Sequence, residues 1–94
     1  MKEIEKLWVE FGKTPFPSNL VGEEIEGIDP VSVDTFAAGC ISSFLASGRL
    51  DKEKKEILEE CMSEMRILNP KLVGESQVYF GKLYRLCDLV YSQL

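Results

Sequence analysis

Thr35 to Gly48 reads TFAAGCISSFLASG, fourteen residues without a charge in a chain of 94 that is 29% charged. Around it Val33, Phe36, Ala37, Cys40, Ile41, Phe44 and Leu45 recur at three and four residues, the spacing that gathers side chains onto one helical face. The opposite face holds Thr35, Ala38, Gly39, Ser42, Ser43 and Ala46, all small, so a second helix or a second subunit is expected to lie close against it. The stretch therefore predicts a buried central helix, the most buried of its fold. As a membrane span it is too short, because crossing a bilayer takes about 20 predominantly apolar residues, and it is interrupted by serines and glycine.

Working outward, Asp29-Pro30 supplies a helix start, with an acceptor side chain at the cap and proline at the first helical position; Ser32 is a competing cap. Gly48 supplies the stop, and Asp51 caps a third helix carrying Ile57, Leu58, Cys61, Met65 and Leu68 on its inner face. So short a link demands an antiparallel hairpin of helices. Asn69-Pro70 closes the third helix. In the fourth, Tyr79, Phe80, Leu83, Leu86, Cys87, Val90 and Tyr91 share an apolar arc, and Val78 and Leu89 fall outside it. A short N-terminal helix follows from Ile4, Leu7, Trp8 and Phe11. The expectation is an all-α fold, a single domain over 1–94: an antiparallel bundle of four helices at about 2–12, 31–47, 52–68 and 75–93, with no sheet.

Pro15 and Pro17 end the first helix and open a long connection over residues 14–30. Within it Leu20, Val21, Ile25 and Ile28 are expected to support one helical turn between Gly22 and Gly27. Connections of this length in small domains usually carry function. Leu-Val-Gly-Glu occurs at 20–23 and again at 72–75, but the flanking residues diverge at once, and coincidence is the reading.

The charges are unevenly placed. Lys and Arg number 11 against 16 Asp and Glu, a net charge of −5. Residues 1–13 balance, residues 49–94 balance, and 14–48 hold Glu23, Glu24, Glu26, Asp29 and Asp34 with no base. An acidic chain is a poor fit to nucleic acid or an anionic membrane. The chain has no histidine, which removes the commonest general base and metal ligand. It contains neither a phosphate-binding glycine loop nor a CxxC pair, so no cofactor and no metal site is expected. Cys40, Cys61 and Cys87 each fall on the apolar stripe of their own helix, and reduced core thiols in a cytoplasmic protein are the reading. MKEIEKLWVEFGK at the start lacks the uninterrupted apolar run of a signal peptide.

These features favour a non-enzymatic protein-interaction module, in the manner of an immunity or antitoxin-type neutraliser or an accessory subunit. A basic protein surface is the expected partner, and Glu23, Glu24, Glu26 and Asp29 the expected contact, with Val78 and Leu89 as a second contact stripe. Self-association into a homodimer is expected through that stripe or the small face of helix two. The alternative is a metal-dependent or small-molecule enzyme using the carboxylates of residues 23–29. Glu56, Glu59, Glu60 and Glu64 read as a solvated face of helix three, with Lys52 and Lys55 four residues ahead of Glu56 and Glu59.

Overall fold

The computed structural model describes residues 2–94. Among them four α-helices run Lys2–Gly12 (α1), Pro30–Ser47 (α2), Lys52–Leu68 (α3) and Gly74–Tyr91 (α4), with single 3₁₀ turns at Ser18–Leu20 and Asn69–Lys71. No sheet forms among the described residues, as expected; an isolated bridge joins Ile25 and Ile28. None of the helices is long and apolar enough to cross a membrane.

The caps act where the sequence placed them. Asp29 Oδ1 accepts from the Val31 amide at 3.0 Å and opens α2, and Gly48 closes it in the left-handed region at φ 77°, its amide donating to Phe44 O. Asp51 Oδ1 accepts from the Lys54 amide at 2.8 Å and opens α3 three residues later. With both ends fixed, α2 and α3 fold back on each other, and two thiols record their register: Cys61 Sγ lies 4.0 Å from Val33 O and Cys40 Sγ 3.4 Å from Lys54 O.

The centre of the fold is α4, which packs against α1, α2 and α3. It buries Ser76, Tyr79, Phe80, Leu83, Leu86, Cys87 and Val90, whereas α2 buries Pro30, Val33, Ala37, Cys40, Ile41 and Phe44. The expectation that helix two is the most buried is therefore corrected. A helix whose only charge is Asp34 needs a neighbour on each side to be fully buried, and among the described residues no other element covers the outer side of α2. Thr35, Phe36, Gly39, Ser42 and Ala46 are exposed there. The molecule's shortest dimension is 18 Å, the thickness of two helical layers, which leaves each helix one outward face.

The connection between α1 and α2 explains why that face stays open: it packs on the end of the bundle instead. Phe16 sets its ring edge-on to Tyr79 and Phe80, with centroids 5.4 and 5.9 Å apart, and Tyr79 in turn lies 4.7 Å from Phe11. Ser76 Oγ donates to Asn19 Oδ1 at 3.2 Å. The helical turn expected between Gly22 and Gly27 is displaced. It forms earlier, at Ser18–Leu20, and only Leu20 and Ile28 of the four apolar residues are buried, with Val21 exposed. Residues 25–28 make a tight two-residue turn, closed by reciprocal Ile25–Ile28 amide hydrogen bonds at 2.9 Å, with Glu26 at φ 54° and Gly27 at φ 77°. Two successive positive φ values are the mark of a type I′ turn, which suits glycine and strains glutamate.

Asp34, counted above among the acids of the negative segment, is half-buried beside α4, where the Tyr79 hydroxyl donates to its Oδ1 at 2.7 Å. Burial pushes the Asp34 carboxyl above its ordinary range, and the tyrosine bond pulls it partly back. A folded value above the unfolded one favours the protonated acid, so this contribution to stability is full below the usual carboxylate range and is lost as pH rises through the raised value. Asp34→Asn, whose amide oxygen still accepts from Tyr79, should be no less stable than wild type at pH 7, its advantage growing from pH 4 upward in urea midpoints. A variant destabilised at pH 7 and matched at pH 4 would refute this.

All three cysteines are free and buried. Burial raises each thiol first; at Cys61 and Cys87 neighbouring thiols and carboxylates add to it, bringing Cys61 to about 12, and at Cys40 the Lys54 cation pulls it partly back. Since the thiolate is the reactive species, alkylation of the native protein should be slow at all three and fast after unfolding. A single rapidly labelled thiol would contradict that.

Candidate protein-docking surface

The four acids proposed from the sequence do not form one patch of free charge. Glu23 and Glu24 are exposed. Glu26 is exposed and sits 3.8 Å from Lys71 Nζ, so part of its charge is neutralised within the chain. Asp29 spends both oxygens on its own helix, accepting from the Val31 amide and, through Oδ2, from the Ser32 hydroxyl at 3.0 Å. Among the described residues no three acidic or cysteine side chains converge in an arrangement fit to hold a metal ion.

Val78 and Leu89 lie about eleven residues and 16 Å apart along α4. Val78 is 56% exposed and opens onto a cleft of about 780 Å³ with Thr14, Pro15, Phe16 and Gln77. Leu89 is half-buried and packs on the core, so the two do not act as one exposed stripe.

What the fold does bring together is a second cleft, about 430 Å³, between the N-terminal half of α2 and the C-terminal half of α3. Asp29, Ser32, Val33 and Phe36 form one wall, and Ile57, Glu60, Cys61 and Glu64 the other. Its floor is apolar and sealed by Val33 and Cys61, both buried. Phe36 stands over it at 58% exposure, with half-buried Ile57 opposite.

The rim is acidic and unneutralised. Ion pairs among the described residues join Lys54 to Asp51, Lys71 to Glu26 and Arg85 to Glu3, and none reaches Asp29, Glu60 or Glu64. Burial holds the Glu64 carboxyl above its ordinary range, and the negative charge of Glu60 one turn away pushes it further. A cation placed between the two would relieve both effects.

Asp29 is the one residue of this cleft named as a contact from the sequence. Spacing in the sequence places Phe36 on the apolar face of α2, and Glu60 and Glu64 on a solvated face of α3. A signal for Phe36 does exist. With Val33 at 0° the apolar residues of α2 span about 180°, from Phe36 at roughly −60° to Leu45 at roughly 120°. The buried residues occupy the middle of that arc, and Phe36 is at its edge. Neither Glu60 nor Glu64 carries such a signal, because their neighbour across the groove is set by the hairpin register. No family model, curated protein or solved structure matches this chain.

Proposed function

We propose that the chain is a non-catalytic protein-interaction module, of the neutraliser or accessory-subunit kind, that receives a basic partner at the α2–α3 cleft. One observation carries the reading: an exposed aromatic ring, Phe36, over an apolar floor, bordered by three carboxylates that no cation among the described residues neutralises. Aromatic anchors in desolvated pockets supply most of the energy of such contacts, and rim charges supply orientation and encounter rate. Glu23 and Glu24 extend the negative field beyond the cleft, and the chain's net charge of −5 steers a cationic surface toward it. Three reduced, buried cysteines support a reducing, cytoplasmic setting. A second copy of this chain is the weaker occupant, because two copies bring like charge together.

The test is affinity capture from the native cell followed by binding kinetics with two variants. Phe36→Ala should weaken the captured complex by about tenfold to a hundredfold, mainly through faster dissociation. Asp29→Asn/Glu60→Gln/Glu64→Gln should slow association and flatten its salt dependence with the fold intact, since asparagine caps a helix about as well as aspartate. A captured partner indifferent to both variants would remove the cleft from the reading. A substrate turned over by the purified chain alone would remove the non-enzymatic class altogether.

A further inference from the structure

Resting on that docking reading, we infer that the occupant of the cleft binds as an α-helix, antiparallel to α2, with its cationic side chains in its last two turns. The walls of the groove decide against an extended segment. Both are α-helices whose backbone groups are bonded internally, and the described residues offer no strand edge, only the lone Ile25–Ile28 bridge at the far side of the Asp29 cap. An extended peptide would enter the apolar floor with its own amides and carbonyls unpaired, whereas a helix satisfies them itself.

The α2 side is also long enough. Beyond the Phe36 cleft the same side of α2 presents Gly39, which is exposed and where an added Cβ would meet nothing within 4 Å. Past the Cys40–Lys54 contact that side holds a second, separate depression of about 510 Å³ between Ser43, Ser47 and the Arg49–Lys54 turn, and a helix lying along α2 would span both. Asp29 to Ser47 is about 27 Å of α2, five turns against which a helix of similar length lies. The α2 side of this path presents Ser32, Gly39, Ser43 and Ser47, which permit close approach of a helical ridge.

Charge fixes the direction. The end at Asp29, Glu60 and Glu64 is acidic, and the end at Arg49 and Lys54 carries the cations, with Asp51 paired to Lys54 at 3.5 Å. Cations of the occupant therefore belong at the α2 N-terminal end. A helix tolerates cations best in its last turns, and the dipoles of the two antiparallel walls offset each other, so the side-chain charges decide and the occupant's C-terminus lies there.

The test uses three synthetic 18-residue peptides, the first two of one composition. The first is an alanine-based helix with leucines on one face, glutamates in its first turn and three lysines in its last two turns. In the second the charge order is reversed, and in the third a proline replaces a central alanine. By fluorescence anisotropy at low salt the first should bind, the second about tenfold more weakly and the third about a hundredfold more weakly. Phe36→Ala and Glu60→Gln/Glu64→Gln should each weaken the first by about tenfold. A nitroxide on its C-terminus should broaden the amide signals of residues 29–33, and one on its N-terminus those of 47–50. Equal binding of the proline peptide, the opposite broadening pattern, or no binding of the first peptide overturns the inference. If the native partner still depends on Phe36 in those cases, the docking reading stands without the helix. A dimer that Phe36→Ala dissociates, seen by light scattering, overturns both, because a second copy then fills the groove.

Discussion

Phe44→Ala should cost about 3 to 5 kcal/mol of folding free energy, while Phe36→Ala, two turns away on the same helix, should cost under about 1. The two residues are chemically identical and eight positions apart, and from the sequence both belong to one apolar face. In the fold Phe44 is 2% exposed and Phe36 58%. Removing a buried ring takes away its transfer free energy and leaves a cavity that the surroundings fill only in part. Removing a ring that is more than half in water forfeits little of the first and leaves no enclosed cavity. For a domain of this size, 3 to 5 kcal/mol is a large share of a total of about 5 to 10, so Phe44→Ala should lower the melting temperature by more than about 12 °C. Comparable urea midpoints for the two variants would mean that α2 is rotated from the position described, and the docking cleft would go with it.

Phe80→Ala should be equally severe and should act on a second part of the molecule. Phe80 is 0% exposed, lies on the helix that touches all three others, and holds the edge of the Phe16 ring at 5.9 Å. Loss of the ring should cost about 3 to 5 kcal/mol and also loosen the connection over residues 14–20, since Tyr79 is then the one aromatic ring left against Phe16. Two readouts separate the effects. Global stability falls in denaturant, and the Leu20 amide, which donates to Pro17 O at 3.1 Å, loses hydrogen-exchange protection ahead of the core helices. A double-mutant cycle between Phe16→Ala and Phe80→Ala should show a coupling of about 0.5 to 1.5 kcal/mol, the range for edge-to-face aromatic pairs. Strictly additive effects would show that the connection is held by something other than this contact.

The exposed ion pairs stand well below both. Lys54–Asp51, Lys71–Glu26 and Arg85–Glu3 are all solvent-accessible, and pairs of this kind contribute about 0 to 1 kcal/mol each. The bundle is held by its apolar contacts.

What the sequence determined by itself was the limits of the helices, which depend on neighbours within about four residues; the turns at Ser18–Leu20 and Ile25–Ile28, equally local, were not read from it. Asp29-Pro30, Gly48, Asp51 and Asn69-Pro70 set the helix limits through caps, a left-handed stop and a missing amide, and all act as their local chemistry requires. The inner faces of α3 and α4 were legible for the same reason, since one apolar arc on each helix is clearly favoured over the charged remainder. Tertiary structure decided what no local pattern encodes. With Asp34 its only charge, α2 has no charged face to orient it, so its rotation was settled by packing against α3 and α4, and that rotation buried Phe44 and left Phe36 outside. Asp34 found its partner 45 residues away in Tyr79, and Glu26 found Lys71 across the bundle end. The cleft itself exists because the register of one hairpin sets Asp29 and Phe36 beside Glu60 and Glu64. Periodicity says which side of each helix avoids water, and only the assembled helices decide which neighbour that side meets and how much of a 180° apolar arc there is room to cover.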